Sequence, residues 1–394
     1  MINSVAKKFK KKYRVIFNFV PIKSGGGLQN ALSFLSVFSS YNKTNDYLIV
    51  CNKKSEIERL CITNNLEYQS IMPGKWGRLL YELFFGEYLI LCSRSLIIFN
   101  LFGSAPFISF GIYKISGFAY SNIIQPEIPF WDFLPWYNRL WKKFIDKLRY
   151  WLAMRSDEII VETDYLFKRA KEGVFKGKCM HVIKMAPSIM VLDTLTASIS
   201  NPTPVFRDTI DILYLSGPHP NKRIHQLGPT FFALNDGDKK YRLITTLPET
   251  SSYFTLIKRE FQKSGAIDTL HNIGPVAPSQ VGTLLGVVDG MINIALLESF
   301  SNNWVESWAA GLPLIVTDAD WARYSCRDAA IYIDPDSPYE AANRIASIFK
   351  SQESLQQQKE KGKLHLANLP TPEQKSQQYI SIIEAARERL ETRP

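Results

Sequence analysis

Residues Gly290 to Asp318 read GMINIALLESFSNNWVESWAAGLPLIVTD, and this stretch decides the predicted fold. Gly290–Leu296 is apolar and rich in isoleucine, which is typical of a buried strand. A turn follows, and the spacing of apolar residues then predicts a helix over Asn303–Ala310. A second apolar run, Leu314–Thr317, predicts another strand. The stretch therefore reads as a strand, a helix and a parallel strand.

Two glutamates in this stretch mark a candidate ligand site. Glu298 follows the first strand, and Glu306 lies in the first turns of the helix. Ligands of open α/β sheets bind beyond the carboxyl ends of the strands, where Glu298 is expected. Ser299–Asn302 can present backbone N–H groups. A helix capped by Asn302 or Asn303 adds the free N–H groups and the dipole of its N-terminus, which favour a phosphate.

The same alternation continues on both sides of this stretch in the C-terminal half. It predicts strands at Ile212–Ser216, Leu243–Thr246 and Ile331–Ile333, and helices at Arg223–Leu234, Tyr253–Lys263 and Tyr339–Phe349. Alternating strands and helices place parallel strands in one sheet with helices on both faces. We therefore expect a covered parallel sheet in this half.

The N-terminal half opens with the same kind of unit. Val15–Val20 (VIFNFV) predicts a buried strand, the triplet Gly25-Gly26-Gly27 a turn, and Asn30–Phe38 a helix. Further strands are predicted at Tyr47–Cys51 and Leu96–Asn100. A strand, a glycine turn and a helix are typical of the start of a doubly wound α/β domain.

The length and composition indicate two globular domains. The chain has 394 residues, and a single hydrophobic core rarely supports a chain of this length. Hydrophobic residues make up 46% of it, which is typical of a globular protein. The polar segment Ser198–Asp208 contains two prolines and is interpreted as the linker. We expect an N-terminal domain over residues 1–200, a C-terminal domain over residues 201–370, and a helix over residues 371–394 that could pack back on the N-terminal domain.

The net charge, the cysteines and the N-terminal segment indicate which kinds of binding partner and which cell compartment to expect. The net charge of +10 favours a phosphate-bearing ligand, an anionic membrane surface or nucleic acid. The five cysteines are scattered without a C-x-x-C pair, which indicates reduced thiols in a cytosolic protein and no Cys/His metal site. The basic stretch Lys7–Arg14 precedes an apolar run too short for a signal peptide or a transmembrane helix.

The first stretch resembles the E-x7-E signature of retaining GT-B glycosyltransferases of the family 4-like, surface-polysaccharide type. Its two glutamates are Glu298 and Glu306, and Ala309-Ala310-Gly311-Leu312-Pro313 stands where that family has A-x-G-x-P. The resemblance implies an α/β fold of the GT-B type, with two Rossmann-like doubly wound domains and a cleft between them. It also implies transfer of a sugar from a nucleotide-sugar donor to a glycan acceptor.

The resemblance assigns roles to these residues. Glu298 would face the donor hexose as a catalytic group, Glu306 would bind the ribose hydroxyls, and the backbone amides between them would hold the diphosphate. Those amides belong to Ser299, Phe300, Ser301 and Asn302. In the front-face mechanism proposed for this family the departing phosphate accepts the proton of the acceptor, so no metal and no cofactor are expected. The letters of a D-x-D motif at Asp318–Asp320 are interpreted as loop residues.

A basic pair follows the strand predicted at Ile212–Ser216. The family places a basic residue on the donor phosphates at this point, directly after a glycine that corresponds to Gly217. Here Pro218 occupies that position, so Lys222, Arg223 or both would contact the phosphates as catalytic groups, and Lys222 is preferred. The alternative is a solvated basic helix start.

Two further turns resemble donor-binding stretches of the family. Pro275 and Val276, in the sequence NIGPV, match the backbone that holds the nucleotide base. Gly25, Gly26 and Gly27 match the glycine-rich first loop, which approaches the donor closely. Both stretches are equally compatible with ordinary tight turns.

The acceptor side of the resemblance falls on residues 117–127. Tyr120, Asn122 and Glu127 belong to a polar and aromatic segment that resembles acceptor-side segments of surface-polysaccharide enzymes. Many relatives place a histidine in this domain near the donor sugar, but no histidine precedes His181 here. Either Tyr120 or Asn122 replaces it, or the sugar is held differently.

A basic aromatic segment indicates a membrane-surface helix. Residues 136–155 have helical spacing, six basic residues, one acid and several aromatic rings. Such a helix can lie on an anionic bilayer, which suits a lipid-linked glycan acceptor and a location at the inner face of the cell membrane. A second apolar and aromatic region, Gly74–Phe99, also favours contact with a membrane surface. The alternative is a core helix with a solvated basic face.

Three other functions fit parts of the sequence. A GT-B sugar-nucleotide epimerase would share the fold and the nucleotide site. It would also need acid and base residues in the cleft, and the poverty of histidine in the first domain argues against it. A catalytically silent glycosyltransferase-like scaffold would not need both glutamates. A nucleic-acid-binding protein would explain the net charge, but the sequence contains no nucleic-acid-binding motif.

Overall fold

The computed structural model describes residues 13–41, 46–200 and 209–392, with side chains omitted at 198–200. Most of the basic stretch Lys7–Arg14 and residues 201–208 of the predicted linker therefore lie outside the described residues. Contacts divide the chain into two units. The N-terminal unit comprises residues 1–126, 134–184 and 371–394, and the C-terminal unit comprises residues 127–133 and 185–370.

The described part of the N-terminal unit contains a seven-stranded parallel sheet in the order β3-β2-β1-β4-β5-β6-β7. Its strands are β1 (Val15–Asn18), β2 (Tyr47–Asn52), β3 (Tyr68–Ile71), β4 (Ile97–Asn100), β5 (Tyr113–Gly117), β6 (Glu158–Val161) and β7 (Cys179–Val182). Every residue of β1, β2, β4 and β6 is buried, as expected for strands covered on both faces.

Helices connect these strands. They are α1 (Gly25–Phe38), α2 (Glu56–Thr63), α3 (Gly74–Leu80), α4 (Gly86–Ser93), α5 (Ser121–Ile124), α6 (Trp136–Met154) and α7 (Asp164–Glu172), and a π-helical turn, Tyr81–Phe85, joins α3 to α4. Helix α1 begins at Gly25 itself, which has a positive φ of 66°. The glycine triplet is thus the first turn of the helix, and the prediction that it precedes the helix is wrong.

The described part of the C-terminal unit contains a six-stranded parallel sheet in the order β10-β9-β8-β11-β12-β13. Its strands are β8 (Thr209–Tyr214), β9 (Lys240–Thr245), β10 (Leu270–Asn272), β11 (Gly290–Asn293), β12 (Leu314–Thr317) and β13 (Ile331–Ile333). The helices are α8 (Ile189–Ser200), α9 (Gly228–Leu234), α10 (Ser252–Lys263), α11 (Val281–Leu285), α12 (Asn302–Ala309), α13 (Asp320–Cys326), α14 (Pro338–Phe349) and α15 (Gln352–Ala367). Apolar side chains of β8, β9, α9, α10 and α14 form one buried core.

The last helix, α16 (Pro372–Glu391), belongs to the N-terminal unit. Its Tyr379 ring meets Phe34 of α1 with ring centroids 5.9 Å apart. The Tyr47 hydroxyl of β2 donates to the carboxylate of Glu384. The end of the chain therefore completes the core of the first unit.

These two sheets confirm the predicted fold class, with two parallel, Rossmann-like halves. The helix predicted over Arg223–Leu234 is wrong in its first half. Arg223 has a φ of 54°, in the left-handed region, and separates two short 3-10 turns, so α9 begins only at Gly228. Gly228 packs closely against α10, since a Cβ there would lie 2.4 Å from the Ser264 hydroxyl.

Helix α8 packs on α11 through a glycine and so joins the C-terminal unit. A Cβ at Gly282 would lie 2.2 Å from the Thr194 hydroxyl and 2.4 Å from the Val191 carbonyl oxygen. The domain boundary predicted at residue 200 stays a prediction, because residues 201–208 lie outside the described residues. No helix of the described ranges is long and apolar enough to cross a membrane.

Gly282→Ala is expected to lower the free energy of unfolding by about 1–3 kcal/mol, because the added methyl group forces α8 and α11 apart. Urea unfolding followed by tryptophan fluorescence measures this change. Gly237→Ala is the matched control, because the nearest atom to its new Cβ lies 4.0 Å away. Equal unfolding midpoints for the two variants would contradict the close packing of these helices.

Candidate functional site

The loops that follow β8 and β11 are tied together at the carboxyl edge of the second sheet. The two strands are neighbours, so their loops emerge side by side. The buried Asn221 accepts the Leu296 N–H (2.8 Å) through its backbone carbonyl and donates its side-chain amide to the Leu297 carbonyl (3.0 Å). The Asn303 side chain donates to the Leu215 carbonyl at 2.5 Å. These bonds cross-link the two loops.

The cross-link brings Lys222 and Glu298 together. The Lys222 ammonium donates to a Glu298 carboxylate oxygen, and both side chains are about one-fifth exposed. The hydroxyl of the buried Tyr214 donates to the Lys222 carbonyl at 2.5 Å, which fixes the backbone under the ammonium group. A solvent-reaching cation held by a carboxylate at the edge of a sheet can bind a phosphate group or a polar ligand.

Arg223 is directed to other partners. Its guanidinium group donates to Asp336 (3.1 Å) and to the Gln226 side chain. The left-handed backbone at this residue accounts for the change of direction between two neighbouring basic side chains. The structure therefore brings Lys222 to Glu298 and places Arg223 in a separate ion pair.

Helix α12 begins beside this pair, but its cap differs from the prediction. Ser301 is the N-cap residue, and the prediction of Asn302 or Asn303 is wrong because Asn303 is bound to Leu215. Ser301 makes no side-chain cap bond, and its hydroxyl accepts the side-chain amide of the buried Asn293 at 3.2 Å. The start of the helix is thus fixed to the end of β11.

The loop residues between Glu298 and this helix differ in exposure. Ser299 and Asn302 are half-buried, whereas Ser301 is buried. Phe300 is also buried and packs on Trp304 with ring centroids 5.1 Å apart. A ligand over this loop would therefore meet backbone amides and small polar groups, with the Phe300 ring directed into the core.

Glu306 is the most unusual group of the site. Its side chain is fully buried, and neither carboxylate oxygen has a hydrogen-bond partner within the described part of the chain. Burial raises the pKa of Glu306 to about 7. An unpartnered buried carboxyl group is costly, and such groups concentrate at functional sites. Glu306 is therefore a candidate functional group of this unit.

The remaining predicted residues of the C-terminal unit lie at the ends of β8 and β10. Gly217 is exposed, and a Cβ there would meet no atom within 4 Å. Pro275 is exposed and Val276 is half-buried after a left-handed Gly274. The Asn272 side-chain oxygen accepts the Leu247 N–H at 2.9 Å and so orders this turn. Both turns leave space for a ligand close to the backbone.

The predicted residues of the N-terminal unit form two separate groups. Gly25 and Gly26 are exposed at the start of α1, Gly27 follows them half-buried, and the Asn30 side chain donates to the Gly26 carbonyl at 2.9 Å. Tyr120 and Asn122 instead face α6.

Both residues of the second group have partners on α6. The Arg149 guanidinium lies 4.5 Å from the centre of the Tyr120 ring, and the Asn122 amide donates to Asp146 at 2.7 Å. Glu127 is exposed in a segment, residues 127–133, that belongs to the C-terminal unit. The acceptor roles of Tyr120, Asn122 and Glu127 stay predictions.

Several residues that build the site were missed from the sequence. The asparagine bridges at Asn221, Asn293 and Asn303 carry no local signal, because their partners lie far away along the chain or in irregular loops. The aromatic segment Phe130–Phe133 surrounds His219, with the Phe133 ring centroid 5.6 Å from that of the imidazole. The His219 ring accepts the Asn221 N–H at 3.2 Å and so supports the same loop.

Among the described residues, one cluster of side chains has the composition of a metal site, and one sequence motif has the letters of one. Glu158, Cys179 and His181 lie together because Cys179 and His181 share one face of β7 beside β6. Glu158 already receives hydrogen bonds from Tyr113 and Arg389 and pairs with His181, so its oxygens are occupied.

The motif is the D-x-D sequence at Asp318–Asp320. Asp318 is held by both arms of the Arg323 guanidinium, which lowers the pKa of Asp318. The expected absence of a metal and of a cofactor stays a prediction.

Comparison with known proteins supports a glycosyltransferase domain. Residues 205–365 match the family described as glycosyl transferases group 1. No curated protein matches the chain in sequence. Residues 205–365, which include Lys222, Glu298 and Glu306, are therefore similar to glycosyl transferases group 1.

Solved structures share the fold at low identity. Sucrose-phosphate synthase from Thermosynechococcus elongatus has a TM-score of 0.71 and 12% identity, covering 95% of this chain and 99% of that chain. Anabaena Alr3699/HepE in complex with UDP and glucose has a TM-score of 0.68 and 14% identity, covering 94% and 99%. WaaG, a glycosyltransferase involved in lipopolysaccharide biosynthesis, has a TM-score of 0.65 and 11% identity, covering 92% and 98%.

The burial of Glu306 predicts a distinctive dependence of stability on pH. The folded protein keeps the Glu306 proton up to about pH 7, whereas the unfolded chain releases it near its ordinary pKa of 4.5. Unfolding therefore releases a proton between these values, and the free energy of unfolding falls as the pH rises through them. Relative to Glu306→Gln, the wild type should lose about 3 kcal/mol between about pH 5 and pH 8.

Chemical unfolding of both proteins across this pH range measures the difference, and contributions from other titrating groups cancel in the comparison. Parallel stability curves for the two proteins would show that Glu306 titrates normally.

Proposed function

We propose that the chain is a retaining glycosyltransferase that takes a sugar from a nucleotide-sugar donor bound at the carboxyl edge of the second sheet. One observation carries the proposal. The loop after β11 holds Glu298 against Lys222, and the adjoining helix holds a buried carboxyl group, Glu306, without a hydrogen-bond partner in the described residues. This combination lies inside residues 205–365, which match glycosyl transferases group 1.

Glu306 is proposed to bind the ribose of the donor. Two vicinal hydroxyl groups can each donate a hydrogen bond to one carboxylate oxygen, and the described residues offer Glu306 no such pairing. Because the side chain is fully buried, the ribose can reach it only if the neighbouring loop opens by a small movement. Binding would then convert a costly buried acid into a paired carboxylate, and it would favour loss of the proton.

Lys222 and the loop amides are proposed to hold the diphosphate. The bond between the sugar C1 and the diphosphate oxygen breaks, and the bond from C1 to the acceptor oxygen forms on the same face of the sugar. The acceptor proton passes to the departing phosphate, so no protein base is needed. Lys222 stabilises the charge that develops on the leaving group. Glu298 orients the Lys222 ammonium and lies where the hexose would be.

The donor class is proposed by analogy with the structural neighbours. Alr3699/HepE is described in complex with UDP and glucose, and it shares the fold of this chain. A uridine diphosphate sugar is therefore the first donor to test. Gly217, Pro275 and Val276 would approach the nucleotide. A donor-binding role for Gly25–Gly27 stays a prediction.

The N-terminal unit exposes an apolar surface that suits a membrane. Helix α6 buries only Ala153 among its residues. Its large apolar side chains are exposed on one side, with Trp136 at 73% and Trp141 at 60% exposure. We name this surface the aromatic face. It comprises Trp136, Tyr137, Leu140, Trp141, Phe144, Leu148 and Trp151. An exposed apolar stripe argues against the alternative of a core helix.

A second exposed segment extends the aromatic face. Trp76, Phe84 and Phe110 are each more than 60% exposed in the region of α3, α4 and the loop after β4. The Phe107 ring lies 5.6 Å from that of Trp151, which joins this region to the aromatic face. Exposed Lys143 and Lys147 stand beside the apolar groups on α6. Aromatic rings next to basic side chains favour the interface of an anionic bilayer.

We therefore propose a lipid-linked glycan as the acceptor and a peripheral position on the inner face of the cell membrane. An enzyme on the bilayer surface would meet an acceptor that is anchored in it. The structural neighbour WaaG, involved in lipopolysaccharide biosynthesis, supports a role in surface polysaccharide assembly. Tyr120 and Asn122, which contact α6, are the proposed acceptor-side residues of this unit.

A thermal-shift screen against UDP, GDP, CMP, dTDP and their sugars tests the donor site. One nucleotide should raise the melting temperature, because it binds only the folded protein. Glu306→Ala should weaken that nucleotide about tenfold or more through loss of charged hydrogen bonds. Glu298→Ala should retain binding and mainly lower kcat. Glu340→Ala, an exposed acid of α14, is the matched control. Wild-type nucleotide affinity in Glu306→Ala would refute the ribose assignment.

Sedimentation with lipid vesicles tests the aromatic face. The wild type should bind vesicles containing anionic lipid more tightly than neutral vesicles. Lys143→Glu/Lys147→Glu should weaken the anionic preference about tenfold or more, because each basic residue near such a surface contributes about 1 kcal/mol. Lys361→Glu/Lys363→Glu makes the same change of charge on two exposed lysines of α15. Equal losses in both double variants would show a general charge effect and contradict a specific docking face.

A further inference from the structure

Three side chains of different chemistry meet on two neighbouring strands of the N-terminal unit. Glu158 opens β6 and lies opposite Cys179, which opens β7, the outer strand of the described sheet. His181 follows Cys179 on the same face of β7, because side chains alternate along a strand. A carboxylate oxygen, a thiol sulfur and an imidazole nitrogen therefore lie within 4.8 Å of one another. These are the three types of ligand that proteins offer to Zn²⁺.

The separations of these atoms suit one shared ion. The Cys179 sulfur lies 3.7 Å from Nε2 of His181. Zn²⁺ bonds of about 2.3 Å to sulfur and about 2.0 Å to nitrogen place two such ligands about 3.5 Å apart in a tetrahedral site. Oε2 of Glu158 lies 2.5 Å from the same Nε2, at hydrogen-bond distance. The carboxylate would therefore withdraw by about 1 Å to admit the ion.

The two oxygens of Glu158 have different partners. Oε1 accepts the Tyr113 hydroxyl at 2.8 Å and the Arg389 guanidinium of α16. Oε2 pairs with His181. The side chain is only 1% exposed, and this burial alone would raise the pKa of Glu158, but hydrogen bonds from His181 and Tyr113 lower it. Glu158 is thus an ionised carboxylate that is oriented through one oxygen and presents the other to His181.

A metal ion can replace the proton that His181 and Glu158 share. The imidazole would keep its proton on Nδ1, which leaves the lone pair of Nε2 for the metal. The Cys179 thiol would release its proton to solvent as the sulfur binds. Desolvation and the Glu158 carboxylate raise the pKa of this thiol, and a divalent cation between sulfur and carboxylate would reverse that effect. Cys179 is exposed and His181 is half-buried, so an ion can enter from solvent.

We propose that Glu158, Cys179 and His181 bind a zinc ion, with water as the fourth ligand. Sulfur and nitrogen ligands favour Zn²⁺ over Mg²⁺ and Ca²⁺, which take oxygen ligands. One thiolate and one carboxylate neutralise the ion, so the Arg389 guanidinium can stay on the other oxygen of Glu158. The ion would fasten the outer strand β7 to β6 and stabilise the N-terminal unit. This site is independent of the sugar transfer proposed above, for which no metal is expected.

Titration of the metal-free protein with Co²⁺ tests the site by spectroscopy. Thiolate-bound Co²⁺ gives a charge-transfer band in the near ultraviolet, and addition of Zn²⁺ should remove it. Cys179→Ser should lose this band and weaken metal binding at least about tenfold. His181→Gln should weaken binding by a similar factor, because its amide can still donate to Glu158 but is a poor ligand for Zn²⁺. Cys92→Ser, at a half-buried cysteine of α4 in the same unit, is the matched control and should behave as the wild type.

Thermal unfolding with and without Zn²⁺ gives a second readout that does not depend on turnover. Zn²⁺ should raise the melting temperature of the wild type and of Cys92→Ser, because it binds the folded site. The rise should be absent in Cys179→Ser and His181→Gln, whose melting temperatures without metal show that they fold. A wild type without the charge-transfer band, or equal stabilisation of all four proteins by Zn²⁺, would overturn the inference.

Discussion

Two asparagine side chains hold the loops after β8 and β11 against each other, and the candidate site depends on this cross-link. Parallel strands deliver both loops to one edge of the sheet, but pairing of the strands alone does not fix the loops. The Asn221 side chain donates to the Leu297 carbonyl and the Asn303 side chain to the Leu215 carbonyl, and the Asn221 backbone carbonyl also accepts the Leu296 N–H. The cross-link holds Lys222 beside Glu298 before a ligand binds, so ordering this pair costs no further conformational entropy, although the loop above Glu306 has to move.

The burial of Glu306 also costs folding free energy. A hydrophobic residue at this position would pack without desolvating a carboxyl group, so stability alone does not explain the glutamate. Burying this carboxyl group therefore lowers the stability of the folded protein. A ligand whose two hydroxyl groups bind the carboxyl group can offset that cost. The buried Lys375 of the N-terminal unit carries a similar cost, which its hydrogen bond to the Asn30 side chain partly offsets.

The sequence predicts the regular elements of this chain well and its irregular ones poorly. Strands β12 and β13 have their predicted bounds, because each is a continuous apolar run between turn residues. The predicted helix from Arg223 fails because the left-handed backbone there depends on tertiary contacts. Asn221 and Asn303 were missed because their partners lie 76 and 88 residues away. The sequence located Glu306, but its complete burial, without a hydrogen-bond partner among the described residues, depends on packing that no local pattern encodes.

A crystal structure of the full chain with the nucleoside diphosphate that it binds most tightly tests the central claim most directly. The account predicts the ribose hydroxyls within hydrogen-bond distance of the Glu306 carboxylate, and the diphosphate on the Lys222 ammonium and the amides of residues 299–302. It also predicts a displaced loop above Glu306. A nucleotide bound elsewhere, with Glu306 still closed from the ligand, would contradict the account.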